Sequence, residues 1–515
     1  MDKTEIVIIG SGVGGLCCGA LLAYYGFDVI VCESHSLPGG AAHGFERQGY
    51  TFDSGPSLYS GLSYSPSANP LRQVLDAIGE ELDWVNYHSW GCFLPEGYFD
   101  AEVGSNQFEE ILLKLRGESA VQQWRQLLGA IAPLSEAVMK VPTAAVRTDL
   151  GAIFTLGKFA PSLLPYLGQV PLLTGAFDRV IKDIITDPFI YNWLNLLCFL
   201  LSGLPLEHTS AAEVAFMFAD WYRPQVALDY PVGGSGAIVA ALVRGLEKYG
   251  GKLRLNAHVS EIIGEKQRAV GIKLRNGQEI RATKAVISNA SIWNTLDLLD
   301  PATLPSDYRR QRANTPPCDS FLHLHLGIDA TELTQNLGCH YIVLKDWQLT
   351  APQNLVAISI PSVLDPNLAP VGKQVIHVYT PATEPYDLWA NLDRSSTAYQ
   401  QLKQERTEVM WQALEKIIPD IRSRCEVTLV GTPLTHERFL RRYRGSYGPA
   451  LKADQGSFPG NDTPLPGLFC CGDSTFPGIG IPAVAASGMI LANTLTPVDK
   501  HLSLLQAIAN YPKIK

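Results

Sequence analysis

Glu5-Ile-Val-Ile-Ile9 is a run of β-branched and apolar residues of the kind a parallel sheet buries on both faces, and it passes directly into Gly10-Ser-Gly-Val-Gly-Gly15. Small and apolar residues from Leu16 to Tyr25 then predict a helix. Gly26 stands as its C-terminal stop, and Asp28-Val-Ile-Val-Cys-Glu33 reads as the next strand. Together these form one βαβ unit. From about Pro70 to Tyr230 the periodicity becomes helical, with many prolines and few strand signals, and predicts a helical insertion. Tyr230-Pro-Val-Gly-Gly-Ser-Gly236 marks the return to α/β character, followed by an amphipathic helix over Ala237–Tyr249 that ends at Gly250-Gly251. Lys252–Leu255, Val259–Glu265, Ala269–Leu274 and Glu279–Ala282 predict a β-meander with a tight hairpin turn at Asn276-Gly277, and Ala285–Asn289 is apolar enough to rejoin the buried sheet. Strand signals recur from Phe321 to Thr380. Near the C-terminus Leu468–Asp473 reads as a strand, then a glycine-rich turn and a helix over Pro482–Asn493.

With 46% hydrophobic and 18% charged residues among 515, the chain is a folded globular protein and not a disordered or coiled-coil one. A net charge of −9 without any Lys/Arg-rich block argues against a nucleic-acid partner and leaves small molecules or lipids. The ten cysteines include no C-x-x-C pair, so neither a zinc site nor a disulfide framework is expected and the compartment reads as reducing. The first residues lack the basic region and cleavage site of a signal peptide. Phe159–Phe177 and Pro188–Leu206 carry no charged residue, but internal prolines in the first and two asparagines in the second favour buried core, or a surface dipping into one leaflet, over a spanning helix. Tyr191 and Trp193 are candidate interfacial anchors.

Gly10-x-Gly12-x-x-Gly15 follows a predicted strand and opens a helix, and Glu33 ends the second strand 23 residues after Gly10. In that context the glycines allow close approach of a pyrophosphate to the helix N-terminus, and the acid accepts hydrogen bonds from a ribose. Pro38-Gly39-Gly40 and Phe52-Asp-Ser-Gly-Pro-Ser57 add loop backbone beside a long cofactor. More than 430 residues later Cys471-Gly472-Asp473 and Gly478-Ile-Gly-Ile-Pro482 supply a second glycine–acid element and a helix start whose dipole suits a reduced flavin. NAD needs only the first motif, so FAD is the expected cofactor. The first segment contributes Gly10, Gly12, Gly14, Gly15, Glu33 and Ser34, and the loops after it Gly39, Gly40, Ala41, Gly55, Pro56 and Ser57. Val259 and Asn289 contribute from the middle, and Gly472, Asp473, Gly480, Ile481, Pro482 and Ala483 from the far end.

The chain resembles the flavin amine-oxidase and phytoene-desaturase superfamily, and within it the carotenoid isomerase branch. The resemblance is carried by the segments above with Gly49-Tyr-Thr-Phe-Asp53, Tyr230–Gly234, Ser359–Asp365, Leu368-Ala-Pro370, Val430–Pro433, Thr435-His436, Arg438-Phe-Leu440 and Tyr447-Gly-Pro449, and with Gly472–Ser474 and Phe476-Pro-Gly478. It implies an α/β fold: a Rossmann-type FAD-binding domain of the glutathione-reductase-like, amine oxidase/phytoene desaturase type, with an interleaved substrate domain of mixed sheet and helices. The expected division is 1–70, 230–300 and 431–515 for the FAD-binding segments, 71–229 for a helical, membrane-facing substrate region and 301–430 for a substrate-domain sheet. It also implies a carotenoid polyene substrate, poly-cis-lycopene in the family's case, drawn from a membrane lipid surface on the cytoplasmic or thylakoid/plastid side. Gly478-Ile-Gly-Ile-Pro-Ala483 is closer to the desaturases, and Ala41-Ala42-His43 is similar to retinol-saturase-like relatives. Three activities therefore stand: cis–trans isomerisation through reduced flavin, desaturation or saturation with a quinone or other electron partner, and carotenoid binding without catalysis.

A hydrocarbon offers side chains little to hold, and no Ser/His/Asp set is visible. His43, His436, Glu437 and Arg438 are the polar residues nearest the matched motifs and the candidate catalytic groups. His323 and His325 alternate with leucines in Phe321–Leu326, which reads as one half-buried strand face; without a third ligand in view no metal is expected.

Overall fold

The computed structural model describes residues 2–104, 107–333 and 335–510. β1 (Asp2–Ile9), α1 (Val13–Tyr24) and β2 (Val29–Cys32) form the expected unit. β1 pairs in parallel with β2 on one side and with the strand Glu279–Ser288 on the other, so Ile6–Ile9 are buried on both faces. Among the described residues this sheet has seven strands, drawn from three distant segments: Leu468–Cys470 joins Glu279–Ser288 in parallel, and Lys252–Arg254 pairs with β2. Gly10, Asn289 and Cys471-Gly472 consequently emerge side by side from the carboxyl ends of three parallel strands. Backbone bonds fix them there, with Asn289 N–H donating to Ile9 C=O (2.9 Å) and Cys471 N–H to Ser288 C=O (3.0 Å).

Three expectations are corrected. Glu279–Ala282 and Ala285–Asn289 belong to one ten-residue strand, Glu279–Ser288, which pairs antiparallel with Arg268–Leu274 at its start and parallel with β1 along its length. The polar Thr283-Lys284 reads as a break only because that stretch of the strand is partly open to solvent. Lys252–Leu255 is not part of the meander; Lys252–Arg254 is an edge strand beside β2. The 71–229 segment is not wholly helical, for Trp84–Tyr87, Ser89–Leu94 and Gly97–Glu102 are strands. Ser89–Leu94 lies parallel to His340–Leu344 and extends the second sheet, so its apolar residues are matched by a distant partner rather than by a helix period.

In that second sheet, Ser320–Asp329 lies between Lys373–Glu384 and Cys425–Gly431. Strand alternation turns Leu322, Leu324, Leu326 and Ile328 toward Met410 and Leu414 of the covering helix Thr397–Glu415, and turns Phe321, His323 and His325 toward the cofactor-binding side. The helix Pro188–Ser202 packs Trp193 against Phe108, ring centroids 5.0 Å apart; the tryptophan is 4% exposed and is core, not an interfacial anchor. Phe159–Phe177 is a chain of short helical turns restarted at its prolines, as expected where proline cannot supply the helical N–H. Among the described residues no helix is long and apolar enough to cross a membrane, and all ten cysteines are free.

Candidate functional site

The first hydrogen bond of α1 runs from Leu16 N–H to Gly12 C=O (2.9 Å), leaving the N–H groups of Gly14 and Gly15 at the free helix end. Gly10 (φ +91°) and Gly472 (φ +99°) take the left-handed conformation at the two strand ends that flank this point. The Asn289 amide fills the space beneath the cradle: a Cβ on Gly12 would meet its Nδ2 at 2.8 Å, and one on Gly14 its Oδ1 at 2.9 Å. Glu33 is buried at the end of β2. Its Oε2 accepts from Ser11 N–H (2.9 Å) and Oγ (2.7 Å), and its Oε1 from His35 N–H (2.8 Å). These donors fix the carboxylate at the cavity wall, where ribose hydroxyls can donate to it. The cradle, the oriented acid and the bare helix end fit a dinucleotide.

A cavity of about 1000 Å³ runs from this cradle, at the upper end of the range for a single ligand. Of the expected cofactor residues it is lined by Gly10, Gly12, Gly14, Glu33, Ser34, Gly39, Gly40, Ala41, Gly55, Pro56, Ser57, Val259, Asn289, Gly472, Asp473, Gly480, Ile481 and Pro482. Gly15 and Ala483 do not line it. Gly15 instead lets α1 pack against the Gly10 carbonyl, which a Cβ would overlap. Pro482 sits in the first turn of the helix Ile481–Leu495, where its missing N–H costs nothing, and Gly480 before it faces open space.

The candidate polar residues separate. His43 lines the cavity with Nδ1 donating to Gly40 C=O (2.7 Å), and burial pushes its pKa down. His436 lines it too, its pKa pushed down to about 3 by burial first and by Arg442 second. Glu437 reaches the wall but accepts the Tyr386 hydroxyl (2.9 Å). Arg438 is exposed, over the Phe439 ring, and does not line the cavity: it lies on the outer side of the short helix Pro433–Leu440. Sequence reasoning missed Arg442, whose guanidinium pairs with Asp473 (2.6 Å) while donating to the carbonyls of Ser446 and Tyr447. Ser57 is expected on the cofactor side, but its partners are not: Ser57 Oγ, Ser359 Oγ and His340 Nδ1 form a buried polar chain on the cavity wall with links of 2.6 and 2.9 Å. Only distant pairing unites those three.

The His323/His325 face is buried, not half-buried, because the opposite wall covers it. A third histidine, His377, stands across from His325 on Lys373–Glu384, and the three place nitrogens within 4.8 Å of one another. The rings lie nearly parallel, at 4.3 Å and 4° for His325–His377 and 4.9 Å and 8° for His323–His377. His325 lies face to face with His377, whereas His323 and His377 meet edge to edge with Nδ1 and Nε2 2.6 Å apart; those two nitrogens are spent on each other and sit too close to flank an ion at about 2.0–2.1 Å from each.

A sheet that presents a glycine cradle, a ribose-facing acid and a returning helix start at adjacent strand ends defines a flavoprotein that wraps an extended FAD. The chain matches the family described as flavin containing amine oxidoreductase over residues 13–496 and belongs to it. It is an FAD-dependent enzyme. It is 31% identical over 535 residues to prolycopene isomerase 1, chloroplastic, of an Oncidium hybrid cultivar, covering 98% of this chain and 86% of that protein. It is 26% identical over 550 residues to the all-trans-retinol 13,14-reductase of Danio rerio, covering 96% and 87%. An oxidoreductase from Methanosarcina mazei shares the fold, with a TM-score of 0.64 at 20% identity over 95% of this chain and 99% of that one.

Proposed function

We propose that this protein is a carotenoid cis–trans isomerase that takes a poly-cis carotene of the lycopene type from a lipid surface and returns the all-trans form. The observation that carries the reading is the continuity of the cavity: it leaves the cofactor cradle and continues between Leu197, Leu200 and Leu201 of Pro188–Ser202 and Phe216 and Met217 of Ala211–Trp221. Such walls exclude water and hold a hydrocarbon by contact alone. Reduced FAD supplies the electron density that lowers C=C bond order; the chain supplies a dry, shaped passage and fixed charges such as the Arg442–Asp473 pair.

Carotene transfer through water costs about 0.8 kcal/mol for every CH₂ exposed, so the cavity mouth has to meet lipid. Leu150, Ile153, Phe154, Leu164, Leu167 and Val170 are exposed on the turn-rich segment 150–170, Leu150 by 86%. Tyr166 on that segment bonds Glu136 (2.6 Å), one turn before Met139, which lines the cavity. These residues support a one-leaflet contact beside the mouth, at a cytoplasmic or plastid membrane. Isomerisation conserves electrons and consumes no quinone; the likeness to a retinol reductase favours saturation as the second reading. Anaerobically reduced, FAD-loaded protein added to liposomes holding poly-cis-lycopene decides between them: an isomerase changes retention and spectrum at unchanged mass, whereas a mass change of two hydrogens overturns the proposal.

A further inference from the structure

Five of the eleven histidines, His43, His323, His325, His377 and His436, gather where the second sheet meets the cofactor-side loops. Within the group His323 Nδ1 and His377 Nε2 are 2.6 Å apart and share one hydrogen. The outer nitrogens, His323 Nε2 and His377 Nδ1, are buried and have no hydrogen-bond partner. Native interiors seldom leave polar atoms so, and each instance calls for a reason.

A neutral imidazole has one N–H and one bare nitrogen, so whichever ring donates the inner hydrogen, one outer nitrogen is protonated and the other bare. Exchange of tautomers moves the bare position from end to end. His323 lines the cavity and His377 lies behind it, so a proton arriving from the cavity reaches the pair by way of His323 and its charge spreads over two rings.

Its neighbours supply no compensating charge. His325 stacks on His377 and lies parallel to His323, centroids 5.8 Å apart, while its Nε2 donates to Asp53 C=O (3.0 Å); Tyr379 lies 5.8 and 5.0 Å from the two rings, and His436, with Arg442 beyond it, 4.5 Å from His323. His43 faces His325 from the cofactor-side loop, and the Asp53 carboxylate accepts instead from Tyr230 and Ser235. Burial first, and then the neighbouring imidazoles, which offer no negative charge, hold both rings neutral. The cluster is nonetheless docked, through His325, on the backbone that leads into Gly55-Pro56-Ser57 of the cofactor wall. The carboxylates Glu33, Asp473 and Glu437 on the cavity wall are already engaged, by Ser11 and His35, by Arg442 and by Tyr386, so it is a further negative charge appearing in the cavity that would favour a charged pair.

We propose that the His323–His377 pair takes up one proton when the bound FAD is reduced, and so compensates the charge of the reduced cofactor. Two electrons from an external two-electron donor and one proton go to the flavin; a second proton, from water, bonds to His323 Nε2, the inner hydrogen bond persists, and reoxidation releases both protons. The inference rests on the FAD assignment and not on the isomerase reading. Anaerobic dithionite titration of the FAD-loaded protein, from about pH 6 to about pH 8, tests it, since each proton coupled to a two-electron couple adds about 30 mV per pH unit to the midpoint potential. The unsubstituted protein should show a slope steeper by that amount than His323→Gln and His377→Gln, while His208→Gln, paired with Asp454 near the surface, keeps the steep slope. Equal slopes throughout, or loss of slope in His43→Gln or His436→Gln instead, overturn it. If the cluster variants fail to retain FAD, nitrogen NMR of histidine-labelled unsubstituted protein decides: reduction must protonate one imidazole pair, and unchanged rings overturn the proposal.

Discussion

Replacing Gly14 by alanine adds one methyl group at the point where three segments of the chain close around the cofactor cradle. The new Cβ would lie 2.9 Å from Asn289 Oδ1 and 3.0 Å from both Gly472 Cα and Val484 C=O. Ordinary contacts of this kind start roughly 0.4–0.5 Å further out, as optimal carbon separations of about 3.5–4.0 Å require. Asn289 can adjust, but the other two atoms are backbone, so α1 has to retreat from the C-terminal segment. Overpacking of this sort costs about 1–3 kcal/mol. The retreat also withdraws the free helix end from the pyrophosphate, and a loss of about 1.4 kcal/mol there weakens FAD binding tenfold. The assay is FAD occupancy by flavin absorbance together with thermal unfolding of the FAD-free protein, where about 2–4 °C is expected per kcal/mol for a domain of 150–250 residues. Gly129→Ala is the matched control: it lies inside the helix Glu118–Met139 with nothing within 4 Å, and alanine should stabilise it by about 0.5–1 kcal/mol. A Gly14→Ala protein that melts and binds FAD like the unsubstituted one would refute the packing account.

Three further outcomes are expected. His323, His325, His340 and His377 are buried with depressed pKa values, His325 and His340 pushed down to about 4, so below about pH 6.5 the unfolded chain binds protons that the folded one does not. Each then removes up to about 1.4 kcal/mol of stability per pH unit lost, opposed by Glu213, raised to about 7, and denaturant titrations at two pH values that agree would contradict this. Arg406→Leu strands the fully buried Glu384, which it now holds at 2.7 and 3.0 Å, and should cost about 3–5 kcal/mol in an unfolding titration. Substituting Leu164 and Leu167 together by aspartate should reduce sedimentation with liposomes without lowering the melting temperature; undiminished lipid binding would move the contact elsewhere.

The cofactor half of the molecule was legible because its signals are local: Gly10–Gly15, Glu33 and the β-branched run before them lie within one βαβ unit, and the structure sets Gly10 and Glu33 on one cavity. Motif spacing does not tell a pyrophosphate contact from helix–strand packing, and Gly15 serves the packing. The substrate half was read less well because its order is set by distant pairing. Ser89–Leu94 is a strand only beside His340–Leu344, and His377 meets His325 only through strand register. Trp193 shows the same limit: an aromatic residue in an uncharged run suits a membrane interface or a core equally, and Phe108 decides it.

Isomerisation leaves no net electron transfer, and electron counting tests it most directly. FAD-loaded protein is reduced once, excess reductant is removed, and the flavin spectrum is followed anaerobically while a large excess of poly-cis carotene is supplied in liposomes. An isomerase converts many carotene molecules per flavin while the flavin stays reduced. Conversion that halts after one equivalent, with the oxidised flavin spectrum restored, would contradict it and make the protein a saturase.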